Sequence, residues 1–73
     1  MGRSLADKNV GSSGTITNMY LSTCMKRRLL SMGLLIGKKV EIINKIEGSS
    51  IIVSISDMQF ILGIDLASNI WVE

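Results

Sequence analysis

Hydrophobic and polar residues follow two different periods along this chain, and the changes between them mark the predicted elements. Thr15-Ile16-Thr17-Asn18-Met19 is rich in β-branched residues and predicts a short first strand. Between Ser22 and Met32 the period lengthens, because the apolar residues recur three or four positions apart at Leu21, Met25, Leu29 and Met32. This stripe predicts one amphipathic helix.

Both ends of the predicted helix carry residues with capping preferences. Ser22 or Thr23 can supply the side-chain oxygen of the N-cap. Gly33 follows the last apolar position, where a left-handed backbone costs a residue without Cβ almost nothing. The sequence therefore predicts a helix over 22–32 that ends at Gly33.

The period of two returns after Gly37 and predicts further strands. Lys39 to Ile42 alternates and Ile43 breaks the alternation, which indicates a bulge or a bend. A hairpin is predicted from the strands 51–56 and 59–64, with a tight turn at 57–58 and inward-facing Ile51, Val53, Ile55, Phe60, Leu62 and Ile64. One helical turn over 65–68, capped by Asp65, and a last strand over 69–73 complete the chain.

These elements predict a mostly-β fold, a small SH3-like barrel of about five strands with one short α-helix inserted after the first strand. The 73 residues are expected to form a single domain, 1–73. Structural turns are predicted at Gly11, Gly14, Gly33 and Gly37. Barrel closure would hide the sheet edges that otherwise template aggregation.

Residues suited to catalysis or metal binding are scarce in this sequence. The chain has no His and a single cysteine, Cys24, so it lacks the usual base for a nucleophile and most soft metal ligands. We predict no enzymatic activity, no catalytic residue, no metal site and no cofactor, with weak divalent-metal binding left open. Cys24 is interpreted as a small buried residue, the alternative being a thiol activated at the helix start.

Charge is distributed unevenly along the chain. Residues 1–40 carry seven basic side chains and one acid, whereas residues 41–73 carry one basic side chain and five acids. This uneven distribution of charge predicts a dipolar molecule that orients as it meets a partner. The alternative is that the charged side chains only form solvated faces of the domain. A net charge of +2 without interleaved aromatic residues argues against a nucleic-acid partner. No apolar run approaches the roughly 20 residues of a membrane span, and no signal peptide is recognisable, so we expect a cytoplasmic protein.

Two neighbouring segments are candidates for partner binding. Lys26, Arg27 and Arg28 are expected on the exposed helix face, where they meet a partner or only confer solubility and cover the core edge. Arg28 is favoured as the residue that anchors the partner. The alternative is a structural role, in which Arg28 forms hydrogen bonds to loop carbonyls near Gly33. Leu34, Leu35 and Ile36 are consecutive apolar residues in a predicted loop, so at least one must face outward unless all three cap the barrel.

A third candidate surface lies on the strands. Ile52, Ile61 and Trp71 alternate with the inward-facing residues of three strands, so they point to the opposite side of the sheet. Together they predict a second apolar face. The helix is expected to cover part of it. Any remainder, especially Trp71, could support self-association into a homo-oligomer or partner binding.

The run Arg28-Leu29-Leu30-Ser31-Met32-Gly33-Leu34-Leu35-Ile36-Gly37-Lys38-Lys39-Val40 resembles the core motif of the FeoA family. Its landmarks are an Arg-Leu, a helix end, a Gly-Leu and a Gly before a strand. Further similarity in order and spacing covers nearly the whole chain, at Gly11, Gly14, Ile16, the hairpin from Ile51 to Leu62, Leu66-Ala67, Ile70 and Val72. The chain departs from the family where Ile36 replaces a frequent Pro, Asp57 a common Gly and Gly63 a frequent basic residue.

The resemblance implies an SH3-like barrel that serves as a cytosolic accessory of bacterial ferrous-iron uptake. Its implied partner is FeoB, a membrane permease with a cytosolic GTP-binding domain, so that the chain meets the membrane only through this partner. The alternative implied function is a divalent-metal-responsive regulatory domain, because the barrel also resembles the C-terminal domain of iron- and manganese-dependent repressors.

Overall fold

The computed structural model describes residues 2–73, which form a six-stranded antiparallel sheet. The strands are β1 (Arg3–Ser4), β2 (Ser13–Met19), β3 (Lys39–Ile46), β4 (Ser50–Ile55), β5 (Met58–Gly63) and β6 (Ile70–Val72), in the spatial order β1-β6-β2-β3-β4-β5. Helix α1 (Thr23–Ser31) follows β2, the short helix α2 (Ile64–Ala67) follows β5, and a 3-10 turn (Leu5–Asp7) follows β1.

The mostly-β class is confirmed, with two corrections to the predicted layout. Residues 2–73 form six strands, not about five, and α1 follows the second strand, not the first. The extra strand is β1, in which Arg3 pairs with Val72 and Ser4 with Trp71. Two residues are too short to show a period, so only their pairing with the far end of the chain reveals them.

The curved sheet encloses one aliphatic core. Alternation along β4 places Ile51, Val53 and Ile55 inside, and Leu62 of β5 meets them, as predicted. Phe60 is partly buried against the same core. Ile64 also packs there, but it begins α2 and does not end a strand. Among the described residues, the buried core consists of Leu5, Ile16, Met19, Leu29, Leu34, Val40, Ile42, Ile51, Val53, Ile55, Leu62, Ala67, Ile70 and Val72.

Irregular backbone occurs in the middle of β3 and in the turn between β4 and β5. The β3–β4 register shifts between Ile42 and Asn44, which confirms the predicted bulge at Ile43. The β4–β5 turn lies at Ser56-Asp57, one residue earlier than predicted, and both residues have positive φ (49° and 67°). Two-residue hairpin turns of this kind favour Gly, Asn or Asp, which suits Asp57. The prediction that Asp65 caps α2 was wrong, because Gly63 is the N-cap and provides no side-chain bond.

Gly11 and Gly14 have different structural roles. Gly11 has a φ of 88° and serves the turn before β2, as predicted. Gly14 was predicted in the same turn but lies inside β2. A Cβ on Gly14 would lie 3.2 Å from the Val72 Cβ and 3.1 Å from the Glu73 oxygen, so it permits close approach of the last strand.

Helix α1 is one residue shorter at each end than predicted, because Ser22 and Met32 are its caps. The Ser22 Oγ accepts a hydrogen bond from the Met25 N–H at 3.2 Å, which makes Ser22 the N-cap. At the other end, the Gly33 N–H donates to the Leu30 carbonyl (3.0 Å) and the Leu34 N–H donates to the Leu29 carbonyl (2.9 Å). This pair of bonds defines a Schellman motif around a left-handed Gly33 (φ 89°).

We expect Gly33→Ala to lower the free energy of unfolding by about 1–2 kcal/mol, because a Cβ is strained at positive φ. Urea denaturation measures the change. Gly63→Ala is the matched control, since Gly63 has a φ of −60° and no atom within 4 Å of an added Cβ. Equal stability of the two variants would show that Gly33 does not hold this conformation in solution.

Candidate partner-binding groove

An apolar groove of about 310 Å³ lies between α1 and the loop 33–38 that follows it. We call it the α1–loop groove, and its lining residues are Met19, Lys26, Leu30, Leu34, Leu35 and Ile36. Its walls therefore come from strand β2, from α1 and from the loop, and five of its six lining residues are apolar.

Backbone hydrogen bonds hold the loop wall of the groove. The Lys38 N–H donates to the Leu35 carbonyl at 3.1 Å, which closes a β-turn over residues 35–38. Gly37 has a φ of 97° at the third position of this turn, as a type II turn requires. The Gly37 N–H also donates to the Ile16 carbonyl (2.8 Å) and so fastens the loop to β2. Ile36 occupies the second position of the turn, where Pro is favoured in type II turns, and its side chain projects to solvent.

The exposed side chains of the groove are large and aliphatic. Leu30 is 56% exposed and Ile36 is 59% exposed, whereas Leu35 is partly buried. Leu34, also predicted as a contact residue, is only 1% exposed and lines the groove from the core side. Leu34 follows the left-handed Gly33, which turns its side chain into the core beneath the groove.

Leu30 lines the groove and was missed as a candidate. Its exposure could have been predicted from the sequence, because Leu30 is an apolar residue outside the buried stripe of the helix. Lys26 lies one turn before Leu30, and side chains four residues apart are neighbours on a helix. Together they form the helical wall.

The three basic residues of the helix do not share one surface. Lys26 lines the groove, but Arg27 and Arg28 do not. At about 100° per residue, Arg28 lies roughly 200° around the helix from Lys26. All three side chains are exposed, so the helix is basic on more than one side.

Trp71 lies outside the groove. It is 36% exposed on β6, and its ring meets Tyr20 edge to face at a centroid distance of 6.3 Å. Ile61, on the same predicted face, is 70% exposed, so the helix does not cover this part of the sheet. Ile52 is partly exposed as well, so all three residues of the predicted second face retain exposed apolar surface.

Several chemical features differ from, or add to, what the sequence indicated. Cys24 is exposed, which corrects its interpretation as a buried residue. Within residues 2–73, no three Cys, Asp or Glu side chains lie together in an arrangement that could hold a metal ion.

Lys38 and Lys39 line one surface depression together with Glu41 and Asp57, so the basic and acidic parts of the chain adjoin there. Neither α1 nor α2, among the described residues, has the length and apolar character that spanning a bilayer demands.

The six-stranded sheet and its inserted helix define a small SH3-like β-barrel domain. The model of the FeoA domain matches residues 3–73, and the chain belongs to the FeoA family, which is involved in ferrous iron transport. The motif that suggested the family, Arg28 to Val40, supplies four of the six residues that line the α1–loop groove.

Solved structures agree with this assignment. A crystal structure of iron uptake regulatory protein (FeoA) is 26% identical over 100% of this chain and 97% of that chain, with a TM-score of 0.91. A manganese-dependent transcriptional repressor in complex with manganese is 27% identical over 99% of this chain but only 36% of its own length, with a TM-score of 0.89. The zinc-complexed FeoA of Stenotrophomonas maltophilia, described as a procaryotic SH3 domain protein, is 23% identical over 96% of this chain and 88% of that chain, with a TM-score of 0.80, and shares the fold. No curated protein matched the chain.

Proposed function

We propose that this chain is a cytoplasmic accessory protein of bacterial ferrous-iron uptake that binds and modulates a FeoB-type permease at its cytosolic side. The observation that carries the proposal is the α1–loop groove, where Leu30 and Ile36 expose aliphatic side chains beside the charge of Lys26. Apolar surface concentrated in this way marks a binding site more often than scattered exposed residues do. The membrane is reached only through the permease.

The chemistry of the groove specifies the kind of segment that it receives. A groove of about 310 Å³ with aliphatic walls accommodates one or two apolar side chains of an amphipathic helix or loop. Lys26 at its wall favours a carboxylate next to those side chains. The contact area is small compared with the roughly 1,200–2,000 Å² of stable complexes, so binding is expected to be reversible and responsive to the state of the permease.

The proposal is tested by a pull-down of the intact permease in detergent, with this chain immobilised and the nucleotide varied between none, GDP and a non-hydrolysable GTP analogue. Retention that depends on nucleotide would support modulation through the GTP-binding domain. Failure of the folded chain to retain any cytosolic part of the permease, in every nucleotide state, would refute the proposal.

The alternative function is a divalent-metal-responsive regulatory domain, and the likeness to the manganese-dependent repressor favours it. Metal would have to be held by the few carboxylates and Cys24, which is exposed. Calorimetric titration with ferrous, manganous and zinc ions under reducing conditions distinguishes the two functions. Saturable binding at micromolar concentration supports the alternative, and its absence removes it.

A further inference from the structure

Strands β1 and β5 are the two ends of the sheet and do not pair with each other, so the predicted closure of its edges was wrong, and the two edges differ in how they are protected. Strand β1 has only two residues, and one of them is Arg3. Strand β5 has six residues, Met58–Gly63, without a charged residue or Pro, and its register with β4 runs without a bulge. Short length, charge, Pro and bulges are the devices that keep sheet edges from pairing with other chains. Strand β5 has none of them.

The backbone of β5 offers free hydrogen-bonding groups at this edge. The Ile64 N–H donates to the Ser49 carbonyl at 2.9 Å, which fixes the alternation of bonded and non-bonded pairs between β4 and β5. By this alternation, Phe60 and Leu62 face their partners in β4 as bonded pairs. Gln59 and Ile61 therefore direct their N–H and C=O groups away from β4, toward the open edge.

The side chains next to these groups are apolar and exposed. Ile61 is 70% exposed and Met58 is 59% exposed. Ile52 lies directly opposite Ile61 in the β4–β5 register and is partly exposed, so the apolar surface continues from the edge onto the sheet. A strand added at this edge would place its own side chains against this surface.

We propose that β5 pairs antiparallel with β5 of a second copy of this chain, about a two-fold axis close to Ile61. A second copy is the occupant that the strand favours, because β5 is uncharged and two copies face each other without like-charge repulsion. The two-fold axis brings the exposed Ile61 side chains of the two copies together. The free N–H and C=O groups of Gln59 in one copy then pair with those of Ile61 in the other. No residue of β5 lines the α1–loop groove, so this proposal is independent of permease binding.

The interface is a single strand pair and is smaller than that of a stable dimer, so association is weak and depends on concentration. Sedimentation equilibrium from micromolar to millimolar chain concentration should show the average mass of the wild type rising from the monomer toward twice that value. Ile61→Lys should raise the dimer dissociation constant at least about tenfold, since like charges then face each other across the axis. Ile46→Lys is the matched control, because Ile46 is 49% exposed on β3, away from the edge, and should dimerise as the wild type does.

A second variant acts on the backbone. Gln59→Pro removes an N–H that points to the open edge and not to β4, so the monomer loses no sheet bond while the dimer loses two, one from each copy. Circular dichroism and amide NMR spectra establish that both variants are folded. A wild type that stays monomeric over the whole range overturns the proposal, even if it captures an extended peptide at β5. Dimerisation of folded Ile61→Lys and Gln59→Pro with wild-type affinity overturns it as well.

Discussion

Replacing Ile36 with Asp is expected to raise the dissociation constant for the FeoB-type permease at least about tenfold, which corresponds to a loss of about 1.4 kcal/mol of binding free energy. Ile36 is 59% exposed and stands at the rim of the α1–loop groove, so its substitution leaves the core intact. An aspartate at this position introduces a carboxylate that must be desolvated when an apolar side chain of the permease docks. Biolayer interferometry with the permease in detergent measures the change.

The control for this variant is Ile46→Asp, which makes the same chemical change at a 49% exposed residue outside the groove. It should bind as the wild type does. Arg28→Ala should have a smaller effect than Ile36→Asp, because Arg28 does not line the groove. Unchanged binding of folded Ile36→Asp, or an equal loss in Ile46→Asp, would contradict the assignment of the groove as the docking surface.

Replacing Leu5 with Ala is expected to lower the free energy of unfolding by about 2–5 kcal/mol, the usual range for truncating a buried Leu. Leu5 is 0% exposed and belongs to the core, although it lies in the 3-10 turn near the start of the chain. The turn is held by the pairing of β1 with β6 and by the Lys45 Nζ, which donates to the Ala6 carbonyl at 2.8 Å. Urea denaturation followed by circular dichroism measures the loss.

The matched control for Leu5 is Val10→Ala, at a 54% exposed residue of the same N-terminal segment. A change of less than about 0.5 kcal/mol is expected there, as for most exposed positions. If Leu5→Ala were as mild as Val10→Ala, the N-terminal turn would not pack on the core in solution.

The elements with a clear period were predictable from the sequence, and those made by distant pairing were not. The stripe of α1 and the alternation of β4 each span several residues, so their buried faces could be assigned. Strand β1 has two residues and pairs with β6 at the other end of the chain, which no local pattern reveals. Gly14 was misplaced for a similar reason, since its role depends on contact with Val72.

The candidate site was predicted as a segment, but its exposed residues required the structure. Three successive apolar residues, Leu34 to Ile36, were expected to leave at least one side chain outside. The positive φ angles of Gly33 and Gly37 determine which residue this is, and they bury Leu34 while exposing Ile36. Leu30 lies in the same groove as Ile36 only because the loop folds back along α1.

The most direct test of the central proposal is methyl NMR of this chain, labelled at Ile, Leu and Met methyl groups, during titration with the cytosolic GTP-binding domain of the permease. The groove predicts that the methyl signals of Leu30, Leu35 and Ile36 shift or broaden first, while those of Ile46 and Ile61 stay unchanged. Perturbations that centre on Ile61 and leave Leu30 and Ile36 unchanged would contradict the groove as the binding surface, as would a spectrum that does not change at saturating domain.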